Sequence, residues 1–341
     1  MGNVIIETIF MSGRRAFRPA DIVEADGEAE ASPTASPANV FVIFDTLTAM
    51  PSKPHILTLR PVTLQDKPLF DRYLSAYPQE ISELTFASIF CWTEIDHTLF
   101  CEEEGNLIVA FRDQRCVLNF FPPIGPDAVR LMAWSVPGCR RYHIARLPEP
   151  VARSVRAHSK PTFDRANSDY LYDLAELRAV QGKKYDGKRN FIRRFEKLAP
   201  EVRALRTEDF PSCIAIQEQW IESQKNNPSA VDESTALIKA LAHFDYLGLH
   251  GIGVFVEKRL VGFAIGKPLN PTTFVERFEK ALPDYPGVYP FLLRSFAQSI
   301  PASFTFLNRE QDLGIDGLRK AKESWNPAGL VKKYTVKVRG R

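Results

Sequence analysis

The spacing of apolar and polar positions changes several times along the chain, and these changes divide it into segments. From residue 55 onward, an apolar run at 56–60 predicts a strand, and 64–76, entered through Thr63, predicts a helix. Short apolar runs at 98–101, 107–111 and 117–121, with turn residues between them, predict an antiparallel meander. The run Phe121-Pro122-Pro123-Ile124-Gly125-Pro126 follows, then a helix-like stretch to Trp134. Pro148, Pro150 and Pro161 bracket a basic stretch that we take as a domain boundary.

The second half repeats this order. Phe191, Phe195 and Leu198 stand at helical spacing and predict a helix over 188–198 with those three as its apolar stripe. Further helices are expected over 211–224 and 234–244. A hairpin is expected at 253–265, turning at Lys258-Arg259, and a strand at 273–279. A helix near 290–299, a strand at 303–307, a helix near 315–324 and a last strand at 331–338 complete the pattern. Helices, a meander, then helix–strand–helix–strand resembles a GNAT-type acyltransferase, and both halves show a version of it. The fold class expected is therefore α/β (α+β), with mixed, mostly antiparallel sheets flanked by helices. The first domain is placed at 55–165 and the second, with the active cleft, at 168–338.

Residues 1–50 differ in texture. Five acids and no base fall between Asp21 and Glu30, and a Ser/Pro/Ala segment follows. Met11 and Met50 are both plausible starts, so this segment reads as an extension or a misassigned start. Over all 341 residues, 44 basic and 41 acidic side chains leave a net charge of +3, so global charge identifies no partner. Five cysteines without a CxxC pair argue against a disulfide-stapled secreted protein. No apolar run approaches the ~18 residues of a membrane span. A cytoplasmic protein is expected.

Metallopeptidase, nucleophile-elbow, Walker and Rossmann signatures are missing, and the six histidines lack ligand spacing, so no metal and no cofactor is expected. Acyl-CoA enzymes cradle a pyrophosphate on backbone N–H groups at a helix N-terminus. The corresponding stretch here, KALPDYPGVYPFLL, carries three prolines, which lack that donor.

Three constellations remain. The first is QGKKYDGKRNFIRR, where Lys183, Lys184, Lys188, Arg189, Arg193 and Arg194 outnumber Asp186. It reads either as a solvated helix face or as a phosphate-contacting patch with Tyr185 available to stack. The second is TFVERFEKA, where alternation places Val275, Arg277 and Glu279 on one face and Phe274, Glu276 and Phe278 on the other. An Arg277–Glu279 ion pair and a carboxylate orienting an amine are both open. The third is Asn308-Arg309-Glu310-Gln311-Asp312 after the strand, with Arg319, Lys320 and Lys322 on the helix beyond. It is either a loop with a solvated helix or a ligand-docking strand end.

These three segments, YLYDLAELRAVQGKKYDGKRNFIRRF, VGFAIGKPLNPTTFVERFEKA and NREQDLGIDGLRKAKESWNP, together resemble the C-terminal domain of phosphatidylglycerol lysyltransferases. More closely, they resemble a soluble family of unassigned proteins that shares this domain. The match runs over about 168–337, with a weaker first copy at about 55–165. The resemblance implies two tandem GNAT-like domains, similar also to the transferases that build peptidoglycan cross-bridges. It implies transfer of an aminoacyl group from aminoacyl-tRNA to a lipid hydroxyl, a small amine or a hydroxylamine. The lipid-modifying members carry a many-helix membrane region ahead of the domain and this sequence shows none, which counts against a phospholipid acceptor. Peripheral membrane contact stays open.

On that resemblance, the catalytic candidates are Glu279, Asp312 and Arg309. Either carboxylate would hold the donor's amine or act as base, and Arg309 and Arg319 would stabilise charge or grip the tRNA end. Arg277, Asn308, Glu310, Arg319 and Lys322 are the substrate-binding candidates. Lys183, Lys184, Lys188, Arg189 and Arg193 are the candidates for contacting tRNA phosphates. An acyl-CoA-dependent N-acyltransferase and a non-catalytic binder of RNA or anionic surfaces are the alternatives. Residues 1–50 are expected to be dispensable: a chain starting at Met50 should keep the melting temperature of the full chain, whereas a large drop would place Val40 to Phe44 in the core.

Overall fold

The computed structural model describes residues 55–339, apart from 114–115, 127–133, 136–140, 156–159 and 224–227. The N-terminal segment and the stretch expected to be helical before Trp134 therefore lie outside the described residues. Two seven-stranded, mostly antiparallel sheets flanked by helices organise the rest. The first sheet runs in the order Arg60–Pro61, Leu99–Glu103, Asn106–Arg112, Leu118–Phe120, Arg141–Pro148, Lys333–Arg339, Thr162–Phe163. The second runs Glu201–Ala204, His250–Val256, Arg259–Pro268, Thr273–Ala281, Phe306–Asn308, Asp169–Asp173, Gly329–Val331.

Each sheet has one parallel pair at the corresponding place, Leu118–Phe120 with Arg141–Pro148 and Thr273–Ala281 with Phe306–Asn308. The halves also share a local hook. Arg60 pairs with Asp66 at 2.6 Å and lies 4.2 Å over the Phe100 ring. Arg203 pairs with Asp209 at 2.7 Å and lies 4.0 Å over Phe255. In both, the aspartate also accepts the backbone N–H three residues before it, from Thr63 or Arg206, at 2.8 Å. One carboxylate thus ends the first strand and starts the first helix.

The last strand departs from expectation. The single strand expected at 331–338 is two strands: Gly329–Val331 completes the second sheet, and Lys333–Arg339 crosses into the first. The expected second domain, 168–338, therefore gives its final strand to the other half. Asp169–Asp173, at the start of the expected second half, lies inside the second sheet. The strand Arg141–Pro148, which the sequence pattern did not predict, ends where the expected domain boundary begins.

The helix expected over 188–198 runs Asp186–Glu196, and its apolar stripe differs. Ile192 and Phe195 are buried, while Phe191 is 47% exposed and Leu198 lies past the helix and is also exposed. One continuous core extends from Val62 and Phe70 in the first half to Leu307 and Trp325 in the second. A smaller cluster on the first sheet includes Tyr334 and Val336 of the crossing strand.

A fully buried lysine pins the crossing. Lys333 Nζ donates to Asp169 Oδ1 and Glu83 Oε2, each at 2.5 Å, and Asp169 is itself fully buried. The other Asp169 oxygen accepts from the Ser82 N–H at 2.9 Å and from Asn308 Nδ2 at 3.0 Å. Lys333 and Arg146 hold the Glu83 carboxyl at about 2 although its burial pushes the other way. Lys333→Met should cost about 3–5 kcal/mol in urea unfolding, because the fully buried Asp169 loses its cation and Glu83 keeps only Arg146. An unchanged midpoint would mean that water compensates them instead.

Candidate functional site

The parallel pairing in the second sheet ends at Val275↔Asn308, and the strand continues to Ala281 without that neighbour. Where the two strands part, Thr273–Ala281 also bulges: Ile265 pairs with Phe278 and Gly266 with Glu276, which leaves Arg277 as the extra residue. A Cβ on Gly266 would lie 2.2 Å from the Val275 carbonyl oxygen, so only glycine fits opposite the bulge. The bulge breaks the alternation expected from the sequence. Glu276 and Glu279, three residues apart, converge on Arg309, while Arg277 is directed elsewhere.

Arg309 donates through Nε to Glu276 at 2.5 Å and through Nη2 to Glu279, and its guanidinium lies over the Tyr172 ring. Burial opposes the charge on Arg309, yet Glu276 and Glu279 hold its pKa above the ordinary value. Burial pushes the Glu276 carboxyl up to about 7, against the pull of Arg309, and the Glu279 charge adds to the rise. Glu276 Oε1 is buried without a hydrogen-bond partner. Lys322 donates to the Arg309 carbonyl, and burial and Arg309 bring its ammonium down to about 8. Tyr172 donates to the Lys322 carbonyl at 2.8 Å.

Much of the expected substrate-binding set is committed internally. Arg277 donates to Glu310 and, at 3.1 Å, to the Ser82 carbonyl, so it forms no pair with Glu279. Asn308 is fully buried; it donates to Asp169 and accepts from the Glu310 N–H at 2.8 Å. Burial raises the Glu310 carboxyl, with Arg277 opposing.

Asp312 differs from its expected role as base. Its Oδ2 accepts from Arg165 at 2.8 Å, Tyr170 at 2.8 Å and Arg319 at 2.9 Å. Its Oδ1 accepts from the Gly314 N–H at 2.8 Å and from Arg319 at 3.1 Å. Burial works against its charge, but the bonds from Arg319, Tyr170 and Gly314 hold it well below the usual carboxylate range. It is a brace, and Arg319 is half of that brace.

The basic segment is partly tied down as well. Tyr185 is buried, with its hydroxyl 3.1 Å from both Glu176 and the Trp325 carbonyl and its one proton shared between them, so it is no stacking platform. Lys184 pairs with Glu176 at 2.7 Å. Arg189 clamps the helix start through Asp186 and the Val180 and Gly182 carbonyls. Lys183 and Arg193 are exposed. Lys188 lies 4.9 Å over the Trp325 ring and donates to Ser324 Oγ at 2.7 Å. A cleft of about 550 Å3 opens between this helix and the proline-rich loop, lined by Lys184, Lys188, Phe191, Tyr285, Tyr289 and prolines 283, 286 and 290. Tyr289 donates to the Ala281 carbonyl at 3.3 Å, so the cleft meets the end of the strand that carries Glu276 and Glu279.

The family model for the C-terminal region of phosphatidylglycerol lysyltransferase matches residues 74–337. The chain belongs to this family. A conserved protein of unknown function from Bacteroides thetaiotaomicron superposes with a TM-score of 0.75 at 27% identity, covering 82% of this chain and 99% of its own. L-PGS from Bacillus licheniformis shares the fold at a TM-score of 0.57 and 14% identity, over 81% of this chain and 93% of its own. An uncharacterized protein of Mycoplasmoides gallisepticum is 26% identical over 180 residues, 51% of this chain and 57% of the relative. The chain thus spans little more than half of that curated relative. The two mostly antiparallel sheets flanked by helices are the fold class expected from the element order. Among the described residues, no helix is long and apolar enough to cross a membrane.

The sequence reading missed Glu276, because alternation assigned it to the opposite face. Its one available signal was the glycine facing the bulge. Asp312→Asn should lower stability by about 1–3 kcal/mol by weakening charge-assisted bonds to Arg165 and Arg319, and should leave the pH profile of turnover in place. A lost alkaline or acid limb would restore Asp312 as a titrating catalyst.

Proposed function

We propose that the protein transfers an aminoacyl group from aminoacyl-tRNA to an amine or hydroxyl acceptor. The observation that carries this reading is Glu276, a buried carboxyl with one unpartnered oxygen, poised near neutrality where the two strands part. The family's name describes a lysyltransferase, and the donor in such chemistry is already an activated ester, so no covalent nucleophile is needed.

In the proposed step, the acceptor nitrogen or oxygen attacks the ester carbonyl and its proton passes to Glu276. Collapse of the tetrahedral intermediate breaks the bond to the tRNA ribose oxygen, which leaves with that proton. Arg309 and Lys322 supply the positive groups beside Glu276 while negative charge develops. Glu279 fixes Arg309.

An acyl-CoA donor fits the loop poorly. At the start of the helix Val288–Ser299, the Val288 N–H bonds to the Tyr285 carbonyl, Pro290 has none, and the Phe291 N–H bonds to the Gly287 carbonyl. Few donors remain there for a pyrophosphate.

The test supplies a mixed pool of radiolabelled aminoacyl-tRNAs and small-molecule acceptors. Label should move to an acceptor, with a rate that rises with pH through about 7 as Glu276 ionises. Glu276→Gln should lower turnover at least ~100-fold and abolish that limb. Neutralising Lys183, Lys184 and Arg193 together should instead weaken tRNA binding and flatten its salt dependence by roughly 0.9 in log–log slope per lost duplex contact. No transfer from any aminoacyl-tRNA, with transfer from a CoA thioester, would overturn the donor.

A further inference from the structure

The cleft at the end of the strand Thr273–Ala281 has a chemistry of its own. Its walls are aromatic rings and proline faces, and its charges are two ammonium groups. Phe191 is 47% exposed and Tyr289 38% exposed, both large for rings of this size in a folded chain. Phe191 does not belong to the core, since its helix buries Ile192 and Phe195 instead. The two walls hold a fixed distance because Gly287, at φ +94°, packs against the backbone of the basic helix. A Cβ there would lie 2.2 Å from the Phe191 carbonyl oxygen.

Exposed ring faces opposite prolines suit a flat, π-rich group, and ammonium groups beside them suit an adjacent anion. A nucleotide has both parts. The helix behind the loop offers few N–H donors, so the anion would be gripped by side chains, as suits a single phosphodiester rather than a pyrophosphate.

We propose that this cleft binds the 3′-terminal adenylate of the donor RNA, with the base against Phe191 and Tyr289 and the preceding phosphate at Lys188. The assignment rests on the aminoacyl-tRNA reading for the identity of the polymer. It gives that reading a polarity. The RNA end enters along the basic helix, and its terminal ribose reaches the end of the strand Thr273–Ala281, where Tyr289 donates to the Ala281 carbonyl. The adenylate chemistry is shared with coenzyme A, so the ligands must be compared directly.

The experiment uses the full chain and a fluorescein-labelled ribo-oligonucleotide ending in ACCA, followed by polarisation at several salt concentrations. The labelled RNA should bind, AMP should compete with it, and CoA should compete no better than AMP. Phe191→Ala should weaken RNA binding about tenfold or more, as expected for a lost stacking face, with an unchanged melting temperature because the ring lies outside the core. Lys188→Gln should weaken binding and reduce the log–log salt slope by about 0.7, the value for one single-strand contact. Parental affinity in both variants would overturn the assignment, and so would CoA binding tighter than the RNA and lost in Phe191→Ala.

A transfer assay separates this proposal from the function it rests on. Transfer with an unchanged KM for aminoacyl-tRNA in Phe191→Ala would overturn the cleft assignment and leave the transferase standing. RNA binding that depends on Phe191, without transfer from any aminoacyl-tRNA, would support the cleft and overturn the transferase.

Discussion

An ammonium group with no access to water holds the molecule together. Lys333 lies between Asp169 and Glu83, and through Asp169 it reaches Ser82 and Asn308. These residues come from the first half, from the strand that opens the second half, from the strand that enters the site, and from the last described strand. Burying one positive and two negative groups is costly unless every polar atom finds a partner. The position of each segment is therefore set by the others to within a hydrogen-bond length. Asn308 is the residue at which the parallel strands part, so the same network fixes where the opening for chemistry begins.

The site is built from charges that cancel. Arg309 is shared by two glutamates, Arg277 is taken by Glu310, and Asp312 is taken by two arginines. Such a site cannot hold substrate by bulk charge. Its selectivity has to come from where individual atoms are left over, and Glu276 Oε1 is one such atom. An ionisable group kept close to half-protonation in a nearly neutral interior can exchange a proton at little cost in either direction.

Much of the fold was legible because it depends on local periodicity. The meander at Leu99–Phe120, the hairpin His250–Pro268 and the helices of the second half follow from runs of buried positions that any sheet or helix would need. Periodicity does not show which sheet a strand joins, so residues 331–338 read as one strand of one domain. It is equally blind to a single inserted residue. Arg277 and Glu279 were placed on one face because strict alternation was assumed, and the bulge at Arg277 exchanged Arg277 for Glu276. The charged residues at 308–312 were correctly sensed as a cluster at a strand end. Their division into an ion-paired brace at Asp312 and a buried charge cluster at Arg309 depends on distant partners, such as Arg165 and Tyr170 more than a hundred residues from Asp312.

The exchange of the final strand also bears on how the protein is made. The first sheet is translated first, yet Lys333–Arg339 lies between Arg141–Pro148 and Thr162–Phe163. At roughly 5–20 residues per second, the strand that fills this gap emerges on the order of ten to thirty seconds after its neighbours. For that interval Arg141–Pro148 is an unfinished edge, with backbone donors and acceptors open to any passing strand. The two halves therefore cannot mature one after the other as independent modules. The nascent chain must wait for its last residues before either half is complete, and a chain that stops short of residue 333 leaves its earliest-made sheet open.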